Sequence, residues 1–345
     1  MIPIHSYDNG VYAIDAQYEQ PLRAAIHFIL DHGHAAVIDT AHNPSVGLAL
    51  QAIAQLGLKR EDVDYICLTH VHLDHAGGAG AYMREFGQAK LIVHPRGARH
   101  MIDPSQLMAG VKAIYGEAET KRLYGDVLPV PAERVIAAND ETPLALGNRQ
   151  LLCLDTPGHA RHHLCYYDLA AKVVFTGDVF GLSYRELDVD GRQSVIVTSS
   201  PVQFDPRAMH GSIRRILALQ PKALYLTHFS QLRQPEARGD DVHRLIDAYV
   251  AIAEQAGPDE EGRCQRIADG LWRLYDAEAR RQGWTLPRQQ MRAILRLDTE
   301  LNAKGLDVWL KTKRRNDHVT LFHDGDSQRD AGNAGGFAGA AVNGG

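Results

Sequence analysis

The sequence predicts an α+β fold that ends in a carboxy-terminal helical extension. Three observations carry that prediction. Through residues 1–238, short apolar and β-branched runs are separated by turn signals and helical patterns. From 239 to 317 the apolar residues recur only at helical spacing, and from 318 to 345 a Gly- and Ala-rich stretch leaves almost nothing to bury. The expected divisions are a first domain over 1–238, a helical extension over 239–317 and a disordered tail over 318–345.

In chain order, "VYAID", "AAIHFIL" and "AAVIDT" read as strands. A helix is expected from Asn43, with Asn43 as its cap, Pro44 in its first position, and Val46, Leu50, Ile53 and Leu56 on one buried face. The continuous apolar run "VDYICLT" suits a strand covered on both faces. Residues 79–133 read as mostly helical around the short strand "KLIVH". Three more strands follow in "RQLLCLDTPGH", "HHLCYYD" and "KVVFTGD". Asp205 and Pro206 signal the start of a helix that leads into the strand "KALYLTHF". Three helices complete the extension, with breaks near Gly257-Pro258 and Pro287.

Composition narrows the function classes. A formal charge of −5 gives no broad basic surface, so nucleic acid is not an expected partner. No apolar run reaches the roughly 18 residues of a membrane span, and the amino terminus lacks an export signal. Cys67, Cys153, Cys165 and Cys264 have no paired spacing and read as reduced thiols of a cytoplasmic protein.

The densest chemistry lies in "LTHVHLDHAGG", residues 68–78. His70 and His72 project the same way from an extended chain, and Asp74 and His75 can be turned toward a neighbouring point. Gly77 and Gly78 let the backbone pass close by. His159 in "DTPGH", Asp178 in "FTGD" and His228 in "LTHF" occupy comparable strand ends. Two metals sharing an aspartate would use all seven residues. Asp39 in "VIDT" reads equally as an acceptor orienting a ligand histidine or as a strand-end cap.

H-x-H-x-D-H, T-P-G-H, T-G-D and a strand-terminal histidine, in that order, resemble the metallo-β-lactamase superfamily over roughly residues 1–232. The pattern is most similar to its glyoxalase II and lactonase-like branches, and to quorum-signal-response thioesterases that carry extra carboxy-terminal helices. The resemblance implies an αββα sandwich. It implies one metal on His70, His72 and His159, a second on Asp74, His75 and His228, and Asp178 bridging both. In glyoxalase-like relatives the third motif reads T-P-G-H-T-x-G-H, whereas here it is "TPGHARHH". His163 matches a generally structural histidine and His162 replaces a glycine, so both are read as non-ligands.

The expected reaction is hydrolysis of a thioester, lactone or carboxylic ester by hydroxide held between two divalent metals, with Asp74 and Asp178 the candidate catalytic carboxylates. Zinc is favoured, with iron or manganese the other options. Flavodiiron-type reduction of oxygen or nitric oxide and persulfide dioxygenase chemistry are alternatives on the same fold. Their weaknesses here are His72 where the flavodiiron pattern has a glutamate, and a filled second site where the dioxygenases tend to lack parts of it. Phosphodiester hydrolysis is a further alternative, disfavoured by the acidic balance. The expected partner is a small-molecule substrate, with Phe180, Tyr184, Arg185 and Phe229 as rim candidates. Tyr184 reads either as an oxyanion donor or as packing. The extension either caps the site or forms a homodimer interface.

Overall fold

Strand periodicity and helix periodicity resolve into two sheets with helices on both outer faces. The structure is a computed structural model that describes residues 1–200 and 202–327. The first sheet runs in sequence order: β1 (His5–Ser6), β2 (Val11–Asp15), β3 (Ala25–Asp31), β4 (His34–Ile38), β5 (Val63–Cys67), β6 (Lys90–Val93) and β7 (Val135–Ala137). Its first three pairings are antiparallel and its last three parallel. The second sheet holds β8 (Pro143–Leu146), β9 (Arg149–Asp155), β10 (Leu164–Asp168), β11 (Val173–Gly177), β12 (Ala223–Leu226) and β13 (Ser230–Leu232), also in sequence order. Among the described residues only β11 and β12 pair in parallel there, joined by a crossover that contains the helix Pro206–Ala218.

Alternation along the strands builds three apolar layers. Between the sheets lie Ile29, Ala36, Cys67 and Ile92 from the first, and Cys153, Tyr166, Phe175 and Tyr225 from the second. The alternate residues Phe28, Val37, Ile66 and Leu91 face outward onto α1 (Val46–Gln55), α2 (Leu73–Ala76) and α3 (Ala79–Glu85). The helices α4 (Pro95–Ile102), α5 (Ser105–Tyr115) and α6 (Glu117–Tyr124) continue that side. On the opposite side, Cys165, Val174, Leu224 and Leu226 pack beneath α7 (Pro206–Ala218), α8 (Pro235–Gln255), α9 (Arg263–Gln282) and α10 (Arg288–Ser327). The result is an αββα sandwich. The extension shares one core with the second sheet, so its apolar stripes close the domain they follow.

Local signals mostly act as expected. Asp205 caps α7 by accepting from the Ala208 N–H at 3.0 Å, with Pro206 leading the helix. Asn43 does not cap α1. It opens a 3-10 turn, Asn43–Ser45, and its side chain donates to the Asp126 carbonyl, so the α-helix starts at Val46. α10 continues to Ser327, past the boundary expected near 317; the rest of the Gly- and Ala-rich tail lies outside the described residues. All four cysteines are free. Among the described residues no helix is long and apolar enough to cross a membrane.

Candidate metal centre

All seven ligand-type residues of the sequence motifs meet at one end of the sandwich, in the segments that follow the carboxyl ends of β5, β9, β11 and β12. His70 leaves the sheet three residues past β5, and the single turn α2 rotates Asp74 and His75 beside it. The close passage of this turn explains Gly78: a Cβ there would lie 2.9 Å from the Thr40 carbonyl oxygen. Gly177, before Asp178, is more constrained. Its φ is +49°, and a Cβ would meet both His163 Nε2 and Thr69 Oγ1 at 2.7 Å.

Two clusters result. In the first, His72 Nδ1 lies 2.9 Å from His70 Nε2 and 3.0 Å from His159 Nε2. In the second, Asp74 Oδ2 lies 3.5 Å from His228 Nε2 and 3.7 Å from His75 Nε2. Asp178 stands between them. Its Oδ2 is 3.6 Å from His159 Nε2, and its Oδ1 is 3.3 Å from His75 Nε2 and 3.7 Å from His228 Nε2.

These spacings bracket the roughly 3.3 Å edge of a tetrahedron with metal–ligand bonds of about 2.0–2.1 Å. His75 Nε2 and Asp178 Oδ1 are buried and make no hydrogen bond, which is costly for polar atoms without another partner. Burial, then the neighbouring imidazoles, pushes His70 well down and His72 down to about 3, so both present neutral lone pairs. Burial alone would raise Asp178, but His75, His228 and His159 hold it well below the usual carboxylate range. The donor set, its convergence and its unpartnered atoms fit two divalent cations.

The atoms facing away from the clusters are also held. His75 Nδ1 lies 2.8 Å from Asp39 Oδ2. Asp39 also accepts from the Thr69 N–H and hydroxyl and from the Thr227 hydroxyl, so it orients the histidine and ties β5 to β12. Asp39→Asn is expected to turn one of these acceptors into a donor. That change costs about 1–3 kcal/mol for the stranded group and weakens metal retention by roughly 10–100-fold. Thermal unfolding and zinc retention would check both effects, and unchanged retention would reduce Asp39 to a structural brace.

His163 sits outside both clusters, its Nδ1 2.9 Å from the Thr156 hydroxyl and its Nε2 accepting from the Asp178 N–H at 3.3 Å. His162 Nδ1 accepts from the Val71 N–H at 3.4 Å.

A cavity of about 520 Å³ opens onto His72, Asp74, Asp178 and His228. Leu107, Val111 and Leu123 of α5 and α6 line it, as do Ile294, Leu297 and Leu301 of α10. The extension therefore forms part of the cavity wall. Tyr184 is also on that wall, and its hydroxyl donates to Asp298 at 3.1 Å.

The other three rim candidates lie elsewhere. Phe180 is fully buried in the core beneath α7–α10. Phe229 packs with Ala13 and Ala25. Arg185 folds back onto the Ser183 carbonyl and pairs with Asp188. Following a strand that ends in a candidate ligand does not ensure pointing toward the ligand clusters, because the loop folds back over the sheet. In their place the wall carries Arg23, Tyr18 and Asp298, which belong to no recognisable motif.

The chain's similarity to known proteins agrees with this geometry. Residues 21–228 match the model of the metallo-beta-lactamase superfamily. An archaeal metallo-beta-lactamase fold-containing protein, ST1585 of Sulfurisphaera tokodaii, is 27% identical over 176 residues, 49% of this chain and 61% of that protein. Its crystal structure superposes with a TM-score of 0.59 at 22% identity, covering 87% of this chain and 99% of the other. The acyl-coenzyme A thioesterase MBLAC2 of Bos taurus is 27% identical over 201 residues, 50% of this chain and 64% of that protein. The hydroxyacylglutathione hydrolase of Aeromonas hydrophila is 26% identical over 235 residues, 66% of this chain and 71% of that protein. The chain thus spans under two thirds of the first and second of these relatives.

Proposed function

Because the chain belongs to the metallo-beta-lactamase superfamily, we propose that it is a dinuclear metal hydrolase that cleaves an ester-type bond carrying an apolar acyl group. The observation that supports this most is the pair of ligand clusters sharing Asp178. His70, His72 and His159 would hold one metal, Asp74, His75 and His228 the other, and Asp178 both. When bound, the pair supplies a water of lowered pKa and polarises the attacked carbonyl. Zinc is the metal we assign, since imidazole and carboxylate donors suit it.

The chain's own groups do the rest. Asp39 and the Arg23 carbonyl orient His75 and His228. Asp74 lines the cavity together with Asp178 and His228, so its carboxylate faces the space the substrate would occupy. The leucine-rich walls of α5, α6 and α10 exclude water from an acyl chain. Three guanidiniums on the wall are each paired with a carboxylate, Arg23 with Asp298, Arg122 with Glu119 and Arg296 with Glu300. That pairing favours an uncharged acyl group over a phosphodiester. Two relatives named for thioester-type substrates, the thioesterase and the hydroxyacylglutathione hydrolase, support a thioester first.

The test is metal content by elemental mass spectrometry on protein purified without added metal, with the same batch assayed on an ester, thioester and lactone panel. About two zinc per chain with turnover supports the reading. Two irons with a spectrum that responds to reduction would replace it with a redox function. Leu297→Trp narrows the cavity. It is expected to lower kcat/KM for a decanoyl thioester roughly tenfold or more while sparing the acetyl one. Equal loss on both would place the acyl chain elsewhere.

A further inference from the structure

The helical extension reaches the metal centre through one buried side chain, Arg23. His228 Nδ1 donates to the Arg23 carbonyl oxygen at 2.6 Å, which leaves Nε2 turned toward Asp74 and Asp178. A carbonyl holds an imidazole only as firmly as its own backbone is held. Residues 16–24 form an irregular connection between β2 and β3, with Gln17, Glu19 and Leu22 at φ of 52°, 57° and 57°. Near Arg23, the Leu22 N–H donates to Asp15 and the Ala16 N–H to the Ala24 carbonyl.

From the other side, Arg23 is fixed by α10. Nη1 donates to the Ile294 carbonyl at 3.1 Å and Nη2 to Asp298 Oδ2 at 3.0 Å. The guanidinium lies over the Tyr184 ring, 4.4 Å from its centroid, and the Tyr184 hydroxyl donates to Asp298 Oδ1. Both oxygens of one carboxylate are thus engaged in a closed, nearly dry set, with the Arg23 and Asp298 side chains 7% and 11% exposed. A bidentate or stacked guanidinium is directional, so this anchor fixes orientation as well as distance.

We infer that Arg23 and Asp298 are positioning residues for His228, and that α10 sets the geometry of the second ligand cluster from outside the segment that matches the superfamily. The inference rests on His228 being a ligand. Around the set, Ile294 contributes its carbonyl, Tyr184 its ring face and hydroxyl, and Glu19 a second negative charge felt by the guanidinium. Partners that orient a ligand change metal affinity even though they never touch the metal.

The experiment is zinc removal by a graded chromophoric chelator from the full-length zinc-loaded protein, followed by elemental analysis, alongside kcat and KM. Asp298→Asn is expected to release one zinc roughly tenfold more readily than the unsubstituted protein while the other is retained as before. It is also expected to lower kcat with little change in KM. Arg23→Lys keeps the charge but loses the fork, and should give the same split. The double variant Arg23→Met/Asp298→Leu removes both charges together. It leaves no stranded ion, so it keeps the test open should Asp298→Asn fold poorly, and it should still weaken one zinc.

Zinc retention equal to the original in these variants, with KM raised, would overturn the inference in favour of substrate contact. A lowered Tm with both zinc ions held as before would overturn it in favour of mere packing. His228→Asn separates the premise from the inference. If that variant loses one zinc and the Arg23 and Asp298 variants do not, the positioning role fails alone. If it keeps both, the ligand reading itself fails.

Discussion

Asp178→Ala is expected to remove nearly all turnover and to reduce bound metal from about two ions per chain to one or fewer. Among the described residues no other places one carboxylate oxygen toward each ligand cluster, 3.6 Å from His159 on one side and 3.3 Å from His75 on the other. Alanine would leave each cluster one donor short. It would also leave two cations facing each other without the charge between them, in a site where burial weakens screening. Metals contribute several kcal/mol of transition-state stabilisation in such sites. At about 1.4 kcal/mol per tenfold, the loss is roughly a thousandfold or more. Elemental analysis and steady-state kinetics on one preparation decide the matter. Full turnover with two metals bound would remove Asp178 from the bridging position.

The contrast between Asp178 and Asp298 shows what was legible in the sequence. The seven ligand-type residues are legible because four fall within six consecutive positions just after β5, and the other three follow strands closely in motifs of their own. The layered fold followed from the same strand ends once the resemblance supplied the arrangement. Asp298 carries no comparable mark. It is one acidic residue in a helix whose period marks its buried stripe, and its partner Arg23 is 275 positions away. Nothing local distinguishes it from a solvated charge until α10 packs against Arg23 and the cavity wall.

The misplaced rim residues make the same point in reverse. Phe180, Arg185 and Phe229 follow strands that end in candidate ligands, but the direction of a side chain in an irregular loop depends on what the loop packs against. For Arg185 that is the Ser183 carbonyl, and for Phe180 the core under α7–α10. The short edge strands β1, β7, β8 and β13 have no legible signal, because two to four residues seldom carry a period. Asp39 was ambiguous for a related reason: a carboxylate at a strand end serves as a cap or as an orienting acceptor, and only the approach of His75 and Thr227 decides it.

Ending the chain after residue 238 is expected to abolish folding as well as catalysis. If the extension were only a cap, the shortened protein would fold, bind metal and show altered substrate preference. The packing argues otherwise. Val174, Leu224 and Leu226 on the outer face of the second sheet are covered by one cluster that includes Val242, Leu245, Ile246, Tyr249, Ile267, Leu271, Tyr275, Leu295, Leu306 and Leu310. Burying a large apolar side chain contributes about 1.5–3 kcal/mol, so losing several of these contacts matches or exceeds the roughly 5–15 kcal/mol that holds a domain folded.

Polar ties would be lost with them. The Tyr249 hydroxyl donates to the Val197 carbonyl, the Ser199 N–H donates to Asn302 Oδ1, and Asp298 neutralises the buried Arg23. Removing one partner of a buried ion pair is itself strongly destabilising, by about 3–5 kcal/mol. The shortened chain should therefore be recovered as aggregate, or as soluble material lacking native near-ultraviolet circular dichroism and bound zinc. A soluble, metal-loaded truncation with altered selectivity would restore the simpler view of a removable cap. One with the original kinetics would show that α10 contributes neither wall nor anchor, and the cavity would then have to be bounded by α5, α6 and the segments carrying Tyr18, Arg23 and Tyr184.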